Sequence, residues 1–179
     1  QNTGDFERNQ YEPEFAESYE IGMKGQFFEN RVQFNTSVFY NNFEDKQDSN
    51  VVLDPTTQTV ATVWENIGGI DYTGGDMELQ WIVSENLEIF ATAGWLDAEY
   101  DGFLSHNFVP VDQQATTPKQ NVDFLTPKRA PETTFGFGGT YTAQVGPGEL
   151  ALHMKWNFID DLATSTYNTA GTDADAVDY

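Results

Sequence analysis

Residues 150–158 read Leu150-Ala151-Leu152-His153-Met154-Lys155-Trp156-Asn157-Phe158 and alternate without a break. In an extended chain successive side chains point to opposite faces. Leu150, Leu152, Met154, Trp156 and Phe158 therefore make one greasy face, and Ala151, His153, Lys155 and Asn157 oppose it. The same period of two recurs upstream: Phe135, Phe137 and Tyr141 oppose Thr134, Gly136, Gly138 and Thr140. Leu87, Ile89, Ala91, Ala93 and Trp95 alternate against a less polar face that holds Phe90 and Leu96. Met77, Leu79, Trp81 and Val83 oppose Asp76, Glu78 and Gln80. Val32, Phe34, Thr36, Val38 and Tyr40 oppose Gln33, Asn35, Ser37 and Asn41, with Phe39 the exception. Nearest the start, Tyr19, Ile21, Met23, Gly25 and Phe27 oppose Glu20, Gly22, Lys24 and Gln26. No segment carries a helical period, so the chain is all-β.

Composition narrows the function classes. The 179 residues hold 29 acidic and 8 basic side chains, a formal charge of −21, and no cysteine. A phosphate backbone needs a basic surface, so nucleic acid is excluded as a partner. Disulfide frameworks and cysteine zinc sites are excluded as well. No run of about 18 apolar residues exists to form a membrane helix, and no basic start followed by an apolar stretch marks a signal peptide. The charge and a mean hydropathy of −0.53 suggest a very soluble chain. Yet aromatic residues make up 15%, which a disordered acidic chain does not carry. Those rings are buried somewhere, in a core or in lipid.

The connections decide between the two. Short ones, at residues 28–31, 84–86 and 144–149, alternate with long polar ones at about 44–59, about 101–129 and from 159 onward. Strict alternation has no reason to exist in a β-sandwich. An outer-membrane barrel has it, with tight periplasmic turns and long outer loops. Residues 60–83 test this reading, because Gly68, Gly69, Gly74 and Gly75 lie within them. The expectation is one long strand with glycine kinks or bulges. At ~3.3 Å per residue it outruns the ~25 Å apolar band, so its first half stands above the membrane. The count is then about six long strands in three hairpins, a simple antiparallel meander that forms part of a large transmembrane β-barrel. Tyr40, Phe43, Trp64, Trp95, Tyr100, Trp156 and Phe158 fall toward the long loops, and Phe27, Phe28 and Trp81 near short turns. Two such levels match aromatic girdles at two interfaces.

The stretch Pro13-Glu14-Phe15-Ala16-Glu17-Ser18-Tyr19-Glu20-Ile21-Gly22-Met23-Lys24 resembles the barrel motif of TonB-dependent outer-membrane receptors. Asn35, then Phe39-Tyr40-Asn41-Asn42, Asp45 and Gln47 continue the resemblance. So do Asn66-Ile67-Gly68 with Gly75-Asp76-Met77-Glu78, Asp97-Ala98-Glu99-Tyr100, and Arg129-Ala130-Pro131. It covers nearly all of residues 13–158. It implies a barrel of about 22 strands around a plug domain, of which residues 1–179 are a later piece ending in an outer loop. No plug, TonB box or terminal strand is read in this stretch; residues 172–178 are not amphipathic, although Tyr179 imitates a terminal aromatic. The implied activity is uptake at the bacterial outer membrane of a scarce nutrient, a ferric siderophore first, with cobalamin or an oligosaccharide as other substrates. TonB would act through the plug, without catalysis or a cofactor. The competing reading is a soluble extracellular β-sandwich that binds or builds. A porin or outer-membrane enzyme complete in this length lacks its signal peptide and terminal strand.

Candidate chemistry is sparse. His153 lies on a polar strand face, and Ser37 with His153 and any aspartate would make only a nominal hydrolase set. Acidic pairs such as Glu12/Glu14, Glu44/Asp45, Asp97/Glu99 and Asp160/Asp161 lack calcium-loop spacing and read as solvated loops. Their minority role is to bridge through divalent cations to lipopolysaccharide, beside the lipid that meets the greasy face, or to steer cationic ligands. The candidate substrate contacts are Phe103, His106 and Phe108 in the longest loop, with Lys119, Lys128 and Arg129 its basic cluster.

Overall fold

The computed structural model describes residues 11–53, 60–105 and 117–163. Among the described residues ten strands follow in chain order: β1 (Phe15–Phe27), β2 (Val32–Glu44), β3 (Gln47–Leu53), β4 (Val60–Asn66), β5 (Gly69–Ser84), β6 (Leu87–Asp101), β7 (Leu104–Ser105), β8 (Gln120–Asn121), β9 (Thr133–Val145) and β10 (Gly148–Ile159). Six form one sheet in the order β1-β2-β5-β6-β9-β10, the expected antiparallel meander. The three short turns close it where turn chemistry places them. At the first, Phe28, Glu29 and Asn30 all have positive φ (53°, 58° and 63°), and Arg31 N–H donates to the Phe28 carbonyl at 3.1 Å. At the third, Gly146 has φ +60°.

Two expectations are corrected. Residues 60–83 are not one strand, because β4 ends at Asn66 and β5 starts at Gly69. Between them, Ile67 N–H donates to the Lys46 carbonyl at 2.9 Å, and the Gly68 carbonyl accepts from Lys46 N–H at 2.7 Å. Gly68 has φ +119°, and a Cβ there would lie 2.4 Å from the Gly102 carbonyl oxygen. Close backbone approach thus requires the glycine and breaks the strand. The chain still does not turn back: β5 lies between β2 and β6. The polar stretch after residue 44, expected to be a loop, contains β3, which pairs with β4 from Gln47↔Asn66 to Leu53↔Val60. Gln47-Asp48-Ser49-Asn50 has no apolar alternation, so only the partner reveals this strand. The long stretch after β6 likewise contains the small β7–β8 pair.

The chain divides into two compact units, residues 1–17, 41–71 and 99–126, and residues 18–40, 72–98 and 127–179. The first has a core: Ile67, Ile70, Tyr100, Phe103, Val122 and Leu125 are all buried. The second is a single-layer sheet. Trp81, Phe137 and Trp156, which a sandwich would bury, are 42%, 44% and 44% exposed. Every residue of β10 is exposed. This bare face is the outcome expected of a barrel wall, and it disfavours the sandwich.

The two rings that broke the sequence pattern have a physical reason. Phe39 covers Gly74 and Phe90 covers Gly138; a Cβ on those glycines would meet the ring tips at 2.6 and 2.5 Å. Each ring fills the room a neighbouring glycine leaves on the same face, a cross-strand rescue of the missing side chain. At Gly138 the Met154 carbonyl oxygen is also 2.5 Å from that Cβ position. Gly138→Ala is therefore expected to destabilise the sheet by about 1–3 kcal/mol. Gly148→Ala, whose nearest atom is 3.9 Å away, should be silent. Urea titration of the protein refolded in detergent, followed by tryptophan fluorescence, separates the two.

Candidate functional site

The second unit presents two chemically opposite faces, fixed rung by rung. On one, Leu87↔Tyr141↔Leu152, Ile89↔Gly139↔Met154, Ala91↔Phe137↔Trp156 and Ala93↔Phe135↔Phe158 stand side by side across β6, β9 and β10. Its rings pack together: Phe135 to Trp156 at 5.1 Å, Phe135 to Phe158 at 4.9 Å and Phe137 to Trp156 at 5.4 Å between centroids. A shallow furrow on this face is lined by Leu79, Ile89, Phe137, Tyr141, Leu152 and Met154. A contiguous greasy surface of this kind marks contact with a partner or with lipid.

The other face carries Glu88↔Thr140↔His153 and Thr92↔Gly136↔Asn157. Its polar groups pair across strands. Asn35 Nδ2 donates to Glu78 Oε2 at 3.2 Å, the Ser37 hydroxyl donates to the Asp76 carboxylate, and His153 Nδ1 lies 2.9 Å from Thr140 Oγ1. Ser37 on β2 and His153 on β10 are four strand positions apart in the sheet order. At ~4.8 Å per step that is about 19 Å along the sheet, so no nucleophile–base pair forms between them.

Two of the candidate contact residues are described within the first unit. Phe103 is 3% exposed. Its ring lies 4.5 Å from that of Tyr100. Its N–H donates to Asp123 Oδ1 at 2.6 Å, and its carbonyl accepts from Val122 N–H at 2.8 Å. It is a core residue and offers a ligand no side-chain surface. Lys119 Nζ is paired with Glu65 Oε2 at 2.7 Å, both side chains about a quarter exposed. Lys128 and Arg129 belong to the second unit and are exposed. Arg129, at φ +60°, donates its N–H to the Ala163 carbonyl at 2.9 Å. His106 and Phe108 lie outside the described residues. Sequence reading missed Val122 and Leu125, which are buried in the same unit as Phe103; their only signal is two aliphatic residues three apart in a largely polar stretch. Among the described residues no group of three or more His, Asp or Glu is arranged to hold a metal ion.

A model of the family described as "TonB dependent receptor-like, beta-barrel" matches residues 1–179. The chain is 27% identical over 169 residues to the "Probable TonB-dependent siderophore receptor PiuA" of Acinetobacter baumannii, covering 88% of this chain and 21% of that protein. It is 25% identical over 181 residues to the "Ferric-pyoverdine 358 receptor" of Pseudomonas putida, covering 98% of this chain and 19% of the relative. Its fold is similar to that of the ferric yersiniabactin uptake receptor FyuA from Yersinia pestis, with a TM-score of 0.60 at 16% identity over 87% of this chain and 20% of that one. The chain therefore spans about a fifth of the length of the curated relatives it matches.

The two faces make opposite predictions for one substitution. Leu152→Arg is expected to cost about 2–4 kcal/mol if that face meets the bilayer midplane, and His153→Arg little. Refolding of the full-length protein into lipid vesicles, read by heat-modifiable gel mobility, should show loss of the folded band for Leu152→Arg alone. Equal damage from both would mean that both faces are packed.

Proposed function

This chain belongs to the TonB-dependent receptor β-barrel family of the bacterial outer membrane, and from that premise we propose that it forms part of a receptor importing a ferric siderophore. The observation that carries the reading is the family match over the whole chain, joined to two curated relatives that are both named for siderophores. In this reading residues 1–179 are barrel wall and outer loops. The greasy face of β6, β9 and β10 meets membrane lipid, and the polar face with Asp76, Glu78, His153 and Lys155 looks into the lumen. A plug carried elsewhere in the protein engages TonB, and the inner membrane supplies the energy. The protein makes and breaks no covalent bond in the ligand; its work is selective binding and release.

The acidic loops repel an anionic ferric complex unless bases dominate locally. Lys128 and Arg129 are adjacent, exposed and cationic, and are the contacts retained for such a ligand. Acidic loop residues would bridge through divalent cations to lipopolysaccharide. Tryptophan-fluorescence titration of the purified full-length receptor should show saturable binding of at least one ferric siderophore. Cobalamin and oligosaccharides should leave the signal unchanged. The double variant Lys128→Gln/Arg129→Gln should weaken binding about tenfold, the loss of one charge-assisted contact. Saturable binding of cobalamin or an oligosaccharide, with every siderophore silent, would replace the substrate and keep the family.

A further inference from the structure

Two connections of the sheet, from β2 to β5 and from β6 to β9, contribute residues 45–68 and 102–126 to the first unit. We propose that the described parts of these two connections, residues 45–53, 60–68, 102–105 and 117–126, form one cooperative body, so that a contact made by either displaces or stiffens both.

The backbone joins them first. Ile67 donates its N–H to Lys46 within its own connection, and its carbonyl accepts from Leu104 N–H of the other connection at 2.9 Å. One residue thus terminates both. The chains touch at Gly68 and Gly102, where a Cβ on Gly68 would sit 2.7 Å from the Gly102 carbonyl carbon and 2.9 Å from the Phe103 nitrogen. Gly68 at φ +119° and Gly102 at φ +65° are both in backbone that other residues rarely adopt, so the contact is built into the sequence.

The core joins them second. Ile67 and Ile70 come from the β4–β5 junction, and Phe103, Val122 and Leu125 from the second connection, with Tyr100 at the end of β6. All six belong to one compact unit, and Ile70 and Val122 are each only 1% exposed. The Lys119–Glu65 ion pair crosses the same seam at 2.7 Å. A segment that borrows its partner's apolar surface opens with that partner, because opening one bares the other. Two independent loops would open separately.

Native-state hydrogen exchange on the intact receptor in lipid vesicles, without ligand, tests this. The amides to follow are Lys46 and Ile67 in one connection and Leu104 and Val122 in the other, all hydrogen-bonded. They are expected to share one level of protection. Leu125→Ala, a truncation in the second connection, should accelerate all four by about 30-fold. Where that variant fails to assemble, Val122→Ala should accelerate Lys46, Ile67 and Leu104 by about tenfold. Acceleration confined to the second connection, or no acceleration anywhere, would overturn the proposal. Because no ligand is used, the outcome does not depend on the substrate.

Discussion

Everything in the sheet depends on the requirement that each backbone N–H and C=O find a partner on a neighbouring strand. Within a bilayer no water replaces a missing partner, so a spanning sheet must pair every strand on both sides. β2, β5, β6 and β9 are so paired, while β1 and β10 end the strand order. The side chains then have no second layer to satisfy. One face is free to be greasy and the other polar, and the alternation from Leu150 to Phe158 is the direct imprint of that freedom.

The two units follow different physics. In the sheet, apolar side chains are exposed and hydrogen bonding sets the order of strands. In the loop unit, Ile70 and Val122 are buried as in any water-soluble domain. Burial rather than strand pairing organises that region, and the β7–β8 pair is only two residues long.

This division also explains what was legible in the sequence. Period two in the greasy strands identified all six members of the large sheet and their short turns, because most strands present one greasy and one polar face. Phe39 and Phe90 looked like errors until the neighbouring strands placed Gly74 and Gly138 beneath them, a relation between residues 35 and 48 positions apart. β3 was hidden because a strand of Gln47, Asp48, Ser49 and Asn50 owes its conformation to β4 alone. The break at Gly68 was hidden because its cause, Gly102, is a long-range contact. Phe103 looked like a ligand contact since an aromatic residue in a polar loop gives no sign of its burial. Only the positions of Val122 and Leu125 in space reveal the core around it.

The turn after β1 is tied to more than its own hairpin. Three successive residues, Phe28, Glu29 and Asn30, take left-handed backbone without a glycine, each at a cost of roughly 1–2 kcal/mol. The hairpin does not compensate for this alone. Arg31 Nε donates to the Ile82 carbonyl at 3.0 Å, its Nη2 donates to the Val83 carbonyl, and Ile82 N–H donates to the Arg31 carbonyl at 2.8 Å. The tip is held by a strand some fifty residues further along the chain. The left-handed tip of the first hairpin is thus anchored from outside the hairpin, so the integrity of this turn is tied to the third strand of the sheet as well as to its own two strands.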